Sequence, residues 1–489
     1  MNPWTCLGSG DIIMKYYREG GNPVKYGQCW VYCGVAVTIS RALGIPDRPI
    51  TAYAAAHDTD KSLTIDKYYN ARGQELKDVS ADSVWNFHVW MEAWFRRNDI
   101  GATAEPLNAR AENWQVIDAT PQEVSPHNGR YELGPTLVAG VRSGDLSISQ
   151  DMGFVYSEVN SDVVFWYMGR NGQYYKKSVA TNSIGTVLVT HGPDGQMIDL
   201  TDNYKYREGT PQERKSYNLA RSMVKLRYST DLDELLENEI STSTMNDEVL
   251  CKVALQDRYS LGAPIDFSVR LTNNAKDTRS FFLELTLDSI YYTGSLVANV
   301  ADQTETINLA AGESRTKNYS IQAAEYVDKL PEIGSLRLTS FTSSLNETAA
   351  VNSPPPSYDE YIVQLDKPTL SIQAKSRHFY AAKANRVLLR MQNPLDRPLN
   401  NCRLFLKDGL MCREHKDMPL AQPNGAFATF EHEEKFVPYE HGKNLLIALL
   451  DCGELKDFRG HLNIVVKRSR NNTTPLVNGD SFLFNSLTS

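Results

Sequence analysis

A cysteine, a histidine and an aspartate, Cys29, His88 and Asp118 in chain order, hold the residue types needed for acyl transfer. A thiolate attacks a carbonyl carbon readily, but it needs a base to move the proton and a carboxylate to orient that base. The reaction would run through thiolate attack, a tetrahedral intermediate and an acyl-thioester, which an amine or water then displaces. Seven cysteines occur among 489 residues: Cys6, Cys29, Cys33, Cys251, Cys402, Cys412 and Cys452. Two of them stand one helical turn apart in "VKYGQCWVYCGVAV", Val24 to Val37, so either could be the nucleophile on type alone.

The elements that must hold these residues decide between them. Trp30 to Leu43 is apolar enough for a buried helix, and Gly44-Ile45-Pro46 supplies its stop. Cys29 then lies at the helix start, where the dipole and unpaired N–H groups favour a thiolate, whereas Cys33 falls one turn inside and reads as a core residue. Gly27 allows a close backbone approach and leaves the Cys29 N–H to face an oxyanion. His88 sits among large aromatics in "SVWNFHVWMEAW", the pattern of a strand lining a hydrophobic slot. Asp118 ends the apolar run of "NWQVIDATPQE" just before a turn, a place from which it can orient an imidazole. In "AHDTDKSLTID", Asp58, Asp60, Ser62 and Thr64 alternate as oxygen ligands do at the start of an EF-hand loop. Leu63 replaces the loop glycine and Tyr69 the closing glutamate, so a polar surface turn is the other reading.

The length suggests about three domains at ~150 residues each. Residues 1–228 are rich in Trp and Tyr and mix helical patterns with extended runs such as "FVYSEVNSDVVFWYM", Phe154 to Met168, which predicts an α+β unit. The acidic, Ser/Thr-rich stretch that follows, "DLDELLENEISTSTMNDE", marks a linker at 229–246. Beyond it, alternating runs such as "IDFSVRLTNN", "FFLELTLDSIYYTG" and "NRVLLRMQNPL" lie between Gly, Pro and Asn signals and predict two antiparallel β-sandwiches or barrels, 247–365 and 366–489. A net charge of -8 with no Lys/Arg run argues against nucleic acid or an anionic membrane as partner. No apolar run approaches the ~18 to 20 residues of a membrane span, and the first residues lack the basic start and apolar region of a signal peptide. The odd, scattered cysteines resemble no disulfide framework and fit a reducing compartment. The sequons at Asn318, Asn346, Asn471 and Asn472 read as chance triplets without a secretion signal.

Taken together, "YGQCWV", "WNFHVW" with its histidine 59 residues after Cys29, and "WQVIDATPQE" with its aspartate 30 further on resemble the animal transglutaminase family. The likeness runs on through "FVYSEVNSDVV", "YKYREG" and both C-terminal domains. It implies a papain-like α+β catalytic core followed by two immunoglobulin-like β-sandwiches. It also implies Ca²⁺-dependent acyl transfer from protein-bound glutamine to lysine or polyamine amines, with release of ammonia. In that scheme Cys29 is the nucleophile, His88 the base and then the acid, Asp118 the orienter, and Trp85 a wall of the tunnel for the acceptor amine. Ala119 stands where the family usually has proline. Asp58, Asp60, Ser62 and Thr64 with Asp82 match one calcium site of the family. Asn160, Asp162, Glu208 and Glu213 match a second, although the two glutamates can also be read as an acidic helix start beside Thr210-Pro211. Tyr292, with Tyr291 as alternative, matches a tyrosine of the first barrel that hydrogen-bonds the cysteine and regulates access. No arginine pair precedes that barrel, where Lys252 stands alone, so the family's nucleotide-binding mode is not expected.

Family members carry an N-terminal β-sandwich and part of the core ahead of the cysteine, whereas 28 residues precede Cys29 here, which implies an N-terminally truncated chain. A catalytically impaired scaffold is therefore the alternative function, and a papain-like protease a third reading disfavoured by the two trailing β-domains. Cytoplasmic location, or export without a signal peptide, follows from the thiols and the family; protein substrates and oligomeric state stay open.

Overall fold

The computed structural model describes residues 8–70, 75–97, 112–125, 129–147, 151–168, 172, 174–192, 196–227, 249–345, 357–376, 378–408, 418–419, 426–438 and 441–468. The linker expected at 229–246, Cys6, Cys412 and three of the four sequons lie outside the described residues. The chain divides into two compact units, Met1–Lys367 and Pro368–Ser489.

In the first unit the helix Cys29–Ala42 ends as its sequence demands. Gly44 takes φ 79°, and the N–H groups of Gly44 and Ile45 return to the carbonyls of Arg41 and Ser40, both at 3.0 Å, in a Schellman-type cap. The buried side of this helix, Cys33 and Val37, packs on Met91 and Ala93. Those two residues belong to the strand Ser83–Arg96 of a six-stranded antiparallel sheet, ordered Thr136–Leu137, Glu112–Ile117, Ser83–Arg96, Asp47–His57, Val187–His191 and Met197–Asp199. Met91 pairs with Ile117, which brings Asp118 alongside the part of its neighbour that carries His88. A second sheet joins Thr64–Tyr69 in parallel to Asp162–Met168, which pairs in turn with Tyr174–Ala180. The main core of this part includes Ile50, Trp90, Val116, Met152, Val155 and Tyr204.

One expected element is corrected. The run from Phe154 to Met168 is not extended throughout: Met152–Asn160 is a helix and only Asp162–Met168 a strand. Every residue of that helix except Gly153 is buried, so it shows no polar face and its 3.6-residue period is invisible in the sequence.

Residues 249–366 form a β-sandwich, a three-stranded sheet (Val249–Ala254, Ile265–Asn273, Ser314–Ile321) against a five-stranded one. Ile265–Asn273 alternates buried and more exposed side chains residue by residue, the period of two that its sequence shows. The sandwich touches the core directly. Asn86 N–H donates to the Tyr292 carbonyl at 2.6 Å, Asn86 Nδ2 donates to Ser335 Oγ at 2.9 Å, and Lys67 holds Glu360 at 2.8 Å. Gly294, at φ 79°, lets the turn after Tyr292 press on the Val84 carbonyl, which lies 2.7 Å from where a Cβ would stand.

The second unit is another two-sheet β-structure, Ser371–Ala374, Asn385–Gln392 and Thr429–Phe436 in one sheet and five strands including Arg403–Asp408, Gly442–Asp451 and Phe458–Lys467 in the other. Here a second expectation is corrected, because Cys402 and Cys452 form a disulfide. They are 50 residues apart, so only the pairing of Arg403 with Asp451 brings them together.

Candidate active site

Cys29 is the first residue of its helix and is fully buried. Gln28 before it is extended, so the helix begins at Cys29 and the Cys29 N–H lies outside the intrahelical hydrogen-bond ladder. Gly27 lets the Tyr32 ring pack against the backbone, 2.5 Å from where a Cβ would be, so a larger residue there would have to displace that ring. The neighbouring Cys33 thiol is pushed up to about 12 by burial, with Asp118 adding to it, which keeps it protonated.

His88 points its Nε2 at Asp118 Oδ2, 2.7 Å away, while its Nδ1 is buried with no oxygen or nitrogen partner. That leaves the Cys29 side chain as the group that interacts with the other edge of the ring. Burial alone opposes charge on His88, but the carboxyl groups of Asp118 and Glu158 outweigh it and hold the imidazole well above its ordinary range. Asp118 is fixed on both oxygens, Oδ1 accepting from Thr120 N–H at 2.9 Å and Oδ2 from His88 and from Gln122 Nε2 at 2.8 Å. Ala119 thus leaves the carboxylate pinned without the ring constraint of a proline.

Aromatic rings close the site. Trp85 stands edge-on to His88 at 5.1 Å and to Tyr292 at 5.8 Å, while Trp30 and Phe87 meet Tyr292 at 5.2 and 5.1 Å. The Tyr292 hydroxyl hydrogen-bonds both the side chain and the backbone of Cys29, and burial followed by the nearby thiol raises its pKa. Tyr291 is half exposed and outside this cluster. The arrangement is a buried thiol, imidazole and carboxylate with apolar walls and a phenol against the thiol, which suits acyl transfer away from bulk water.

Comparison with known proteins agrees with this geometry. A transglutaminase-like superfamily profile matches residues 19–119, and one for the transglutaminase family's C-terminal Ig-like domain matches 250–351. The chain is 34% identical to protein-glutamine gamma-glutamyltransferase E of Homo sapiens over 95% of its length, and 34% identical to the hemocyte protein-glutamine gamma-glutamyltransferase of Tachypleus tridentatus over 95%. The crystal structure of red sea bream transglutaminase superposes with a TM-score of 0.74 over 96% of the chain at 26% identity. The chain belongs to the transglutaminase family. It spans 64%, 58% and 65% of the lengths of these three relatives.

Two residues of this transglutaminase site escaped sequence reasoning. Glu158, at 0% exposure, comes from the unforeseen helix to within 3.4 Å of His88 Nε2, and burial pushes its carboxyl up to about 8. Gln122 lies inside the "DATPQE" motif, but nothing local marks its amide as a partner of groups 34 and 36 residues away.

The two expected calcium groups differ. Asp58, Asp60 and Asp82 bring carboxylate oxygens within 4.8 Å of one another. Asp58, 1% exposed, accepts from Ser62 and Leu63 N–H and from Ser157 Oγ, while Asp82 accepts from the N–H and hydroxyl of Thr59 and from Asp66 N–H. Ser62 and Thr64 bond each other at 2.8 Å beside them, and Lys61 turns away to Glu132. Burial, with Asp60 and Asp82 adjacent, holds Asp58 well above the usual carboxylate range. Oxygen-only donors with excess negative charge and, among the described residues, no ion pair of their own suit Ca²⁺. Asn160, Asp162, Glu208 and Glu213 carry no such excess. Arg214 pairs bidentately with Glu213 through Nε and Nη2, both at 2.5 Å, and its Nη1 donates to both oxygens of Asp162 at 2.8 and 2.9 Å; Asn160 Nδ2 donates to Glu213 at 3.1 Å, and Lys205 holds Glu208. In this arrangement the second group does not fit a calcium ion. Among the described residues no helix is long and apolar enough to cross a membrane.

Proposed function

We propose that the chain catalyses Ca²⁺-dependent acyl transfer from protein-bound glutamine to lysine or polyamine amines, forming isopeptide crosslinks and releasing ammonia. The observation that carries this reading is Cys29 at a helix start against the free edge of a carboxylate-anchored His88. His88 Nδ1 takes the thiol proton, the sulfur attacks the γ-carboxamide carbon, and the Cys29 N–H meets the developing oxyanion. His88 returns its proton to the departing ammonia, leaving a thioester on Cys29. An incoming amine gives its proton to His88 and attacks that thioester; the C–S bond breaks, the isopeptide leaves, and His88 returns the proton to the Cys29 sulfur. Trp30, Trp85 and Phe87 limit water and accept an aliphatic amine stem, so aminolysis competes with hydrolysis. Tyr292 occupies the Cys29 N–H and thiol, so it must leave before substrate enters, which makes it the regulatory contact of the site.

Asp58, Asp60 and Asp82, with Ser62 and Thr64 beside them, are the residues that would hold calcium. When bound, the ion supplies the positive charge that lets these carboxylates share one site. Protein glutamine donors and lysine or polyamine acceptors are the partners this chemistry needs. Cytoplasmic activity followed by export reconciles the free thiols of Cys29, Cys33 and Cys251 with the Cys402–Cys452 disulfide.

The test is incorporation of a fluorescent primary amine into a glutamine-rich protein, with and without Ca²⁺, by this chain and its Cys29→Ala variant. Calcium-dependent labelling that disappears in the variant is the expected result. A folded chain that labels nothing would turn the reading to a scaffold.

A further inference from the structure

We infer that Gln122 is a positioning residue of this site: its amide is the shared donor that holds the carboxyl groups of Asp118 and Glu158 at one edge of the imidazole and so fixes which His88 nitrogen faces the thiol. This rests on the acyl-transfer reading above and deepens it.

His88 Nε2 has one hydrogen and two carboxyl oxygens in reach, Asp118 Oδ2 at 2.7 Å and Glu158 Oε1 at 3.4 Å. All three groups are essentially without solvent, so water cannot arbitrate. Gln122 Nε2 does: it lies 2.8 Å from Asp118 Oδ2 and 2.9 Å from Glu158 Oε1, one hydrogen for each. Its 3.0 Å approach to His88 Nε2 sets two N–H groups side by side, both aimed at Asp118 Oδ2. The reverse amide orientation would press a carbonyl oxygen on two carboxyl groups, so the donor orientation follows from the surroundings.

Trp85 and Trp90 pack on the ring at 5.1 and 5.7 Å, but its hydrogen bonds lie at one edge. His88 Nδ1 has no oxygen or nitrogen partner, and its neighbour there is the Cys29 side chain, itself contacted by the Tyr292 hydroxyl. The hydrogen bonds that set the ring's rotation between these aromatic contacts therefore come from the Nε2 edge. Without the Gln122 amide, Asp118 and Glu158 compete for the same N–H, and rotation of the ring toward Glu158 withdraws Nδ1 from the sulfur. Misplacement of a reacting group by about 1 Å costs on the order of 10²-fold in rate.

The experiment compares the wild-type chain with Gln122→Leu and Gln122→Asn, whose amide is too short to reach both carboxyl groups. Cys29 alkylation by iodoacetamide is followed against pH, which needs no glutamine substrate, alongside kcat and KM for ammonia release. The expected result is a kcat lower by about 10² with KM within about twofold, and an alkylation pH profile displaced in both variants. A merely structural glutamine would leave that profile in place. If Gln122→Leu does not fold, Gln122→Asn decides by the same readouts. Wild-type profile and kcat in a folded variant overturn the inference. If the wild-type chain alkylates at Cys29 but releases no ammonia, the acyl-transfer reading fails, and the alkylation profiles of the variants still decide whether Gln122 orients His88.

Discussion

The two acidic groups of the core are neighbours, yet they have opposite electrostatic characters. Thr64 pairs with Asp162 where two parallel strands begin, and Ser157, from the helix that ends at Asn160, reaches Asp58 at 3.0 Å. One group concentrates three carboxylates and forms no ion pair among the described residues; the other carries Arg214 and Lys205 as built-in cations. Both are oxygen-rich by composition. The difference shows that ligand types and spacing do not define a cation site until the charges brought in by the rest of the fold are counted, since a guanidinium that fits a carboxylate bidentately already supplies what an ion would.

The sharpest way to break this contrast is Arg214→Gln. It leaves Asp162 and Glu213 without their partner, and loss of one member of a buried pair costs about 3–5 kcal/mol; with the Arg214 side chain 30% exposed, the lower end, about 3 kcal/mol, is expected in urea unfolding with a chelator present. The same variant should gain a calcium-binding step by titration calorimetry. A neutral substitution with no new binding would mean that Arg214 is not the internal counter-ion.

Next in size is the complementary change. Calcium at a hundred times its dissociation constant stabilises a folded protein by about 2.7 kcal/mol, and Asp58→Asn should remove that stabilisation from the first group. Thermal unfolding with and without Ca²⁺ reads it directly. An undiminished calcium response in the variant would place the ion elsewhere and collapse the distinction between the groups. Lys205→Met should cost less, about 1 kcal/mol, because Glu208 is partly solvated and can be hydrated once released.

How much of this was legible depends on whether the signal was local. The helix Cys29–Ala42 could be read because its apolar run and the Gly44 stop lie within one stretch, and the strand carrying His88 because its aromatics announce a buried surface. The alternation of Asp58, Asp60, Ser62 and Thr64 was equally local. The helix Met152–Asn160 was not legible, since burial on nearly every side erased its period, and Glu158 was lost with it. Gln122, Arg214 and the Cys402–Cys452 bond were lost for another reason: each acts on a partner 34 to 52 residues away, so its role exists only after the fold has formed. Sequence named the candidate reacting groups, while the residues packed around them came from tertiary structure.

The remaining effect is a pH dependence, and it sharpens the contrast most cleanly. Asp58 is held above its reference value of 3.8 in the folded chain, chiefly by burial and then by Asp60 and Asp82. A carboxyl raised in this way keeps its proton longer when folded than when unfolded. Above the unfolded value the folded state binds more protons, and stability falls as pH rises through the folded pKa. The slope for one such group is at most about 1.4 kcal/mol per pH unit. Chelator-treated chain should therefore gain stability on mild acidification, Asp58→Asn should lack that part of the slope, and saturating Ca²⁺ should suppress it by holding the carboxylates ionised. Asp162 is also raised by burial, but Arg214 opposes the shift, so Asp162→Asn should change the slope less. Equal slopes for Asp58→Asn and the wild-type chain in chelator would show that Asp58 is not the group under strain, and the two acidic groups would then differ only in their partners and not in their readiness for a cation.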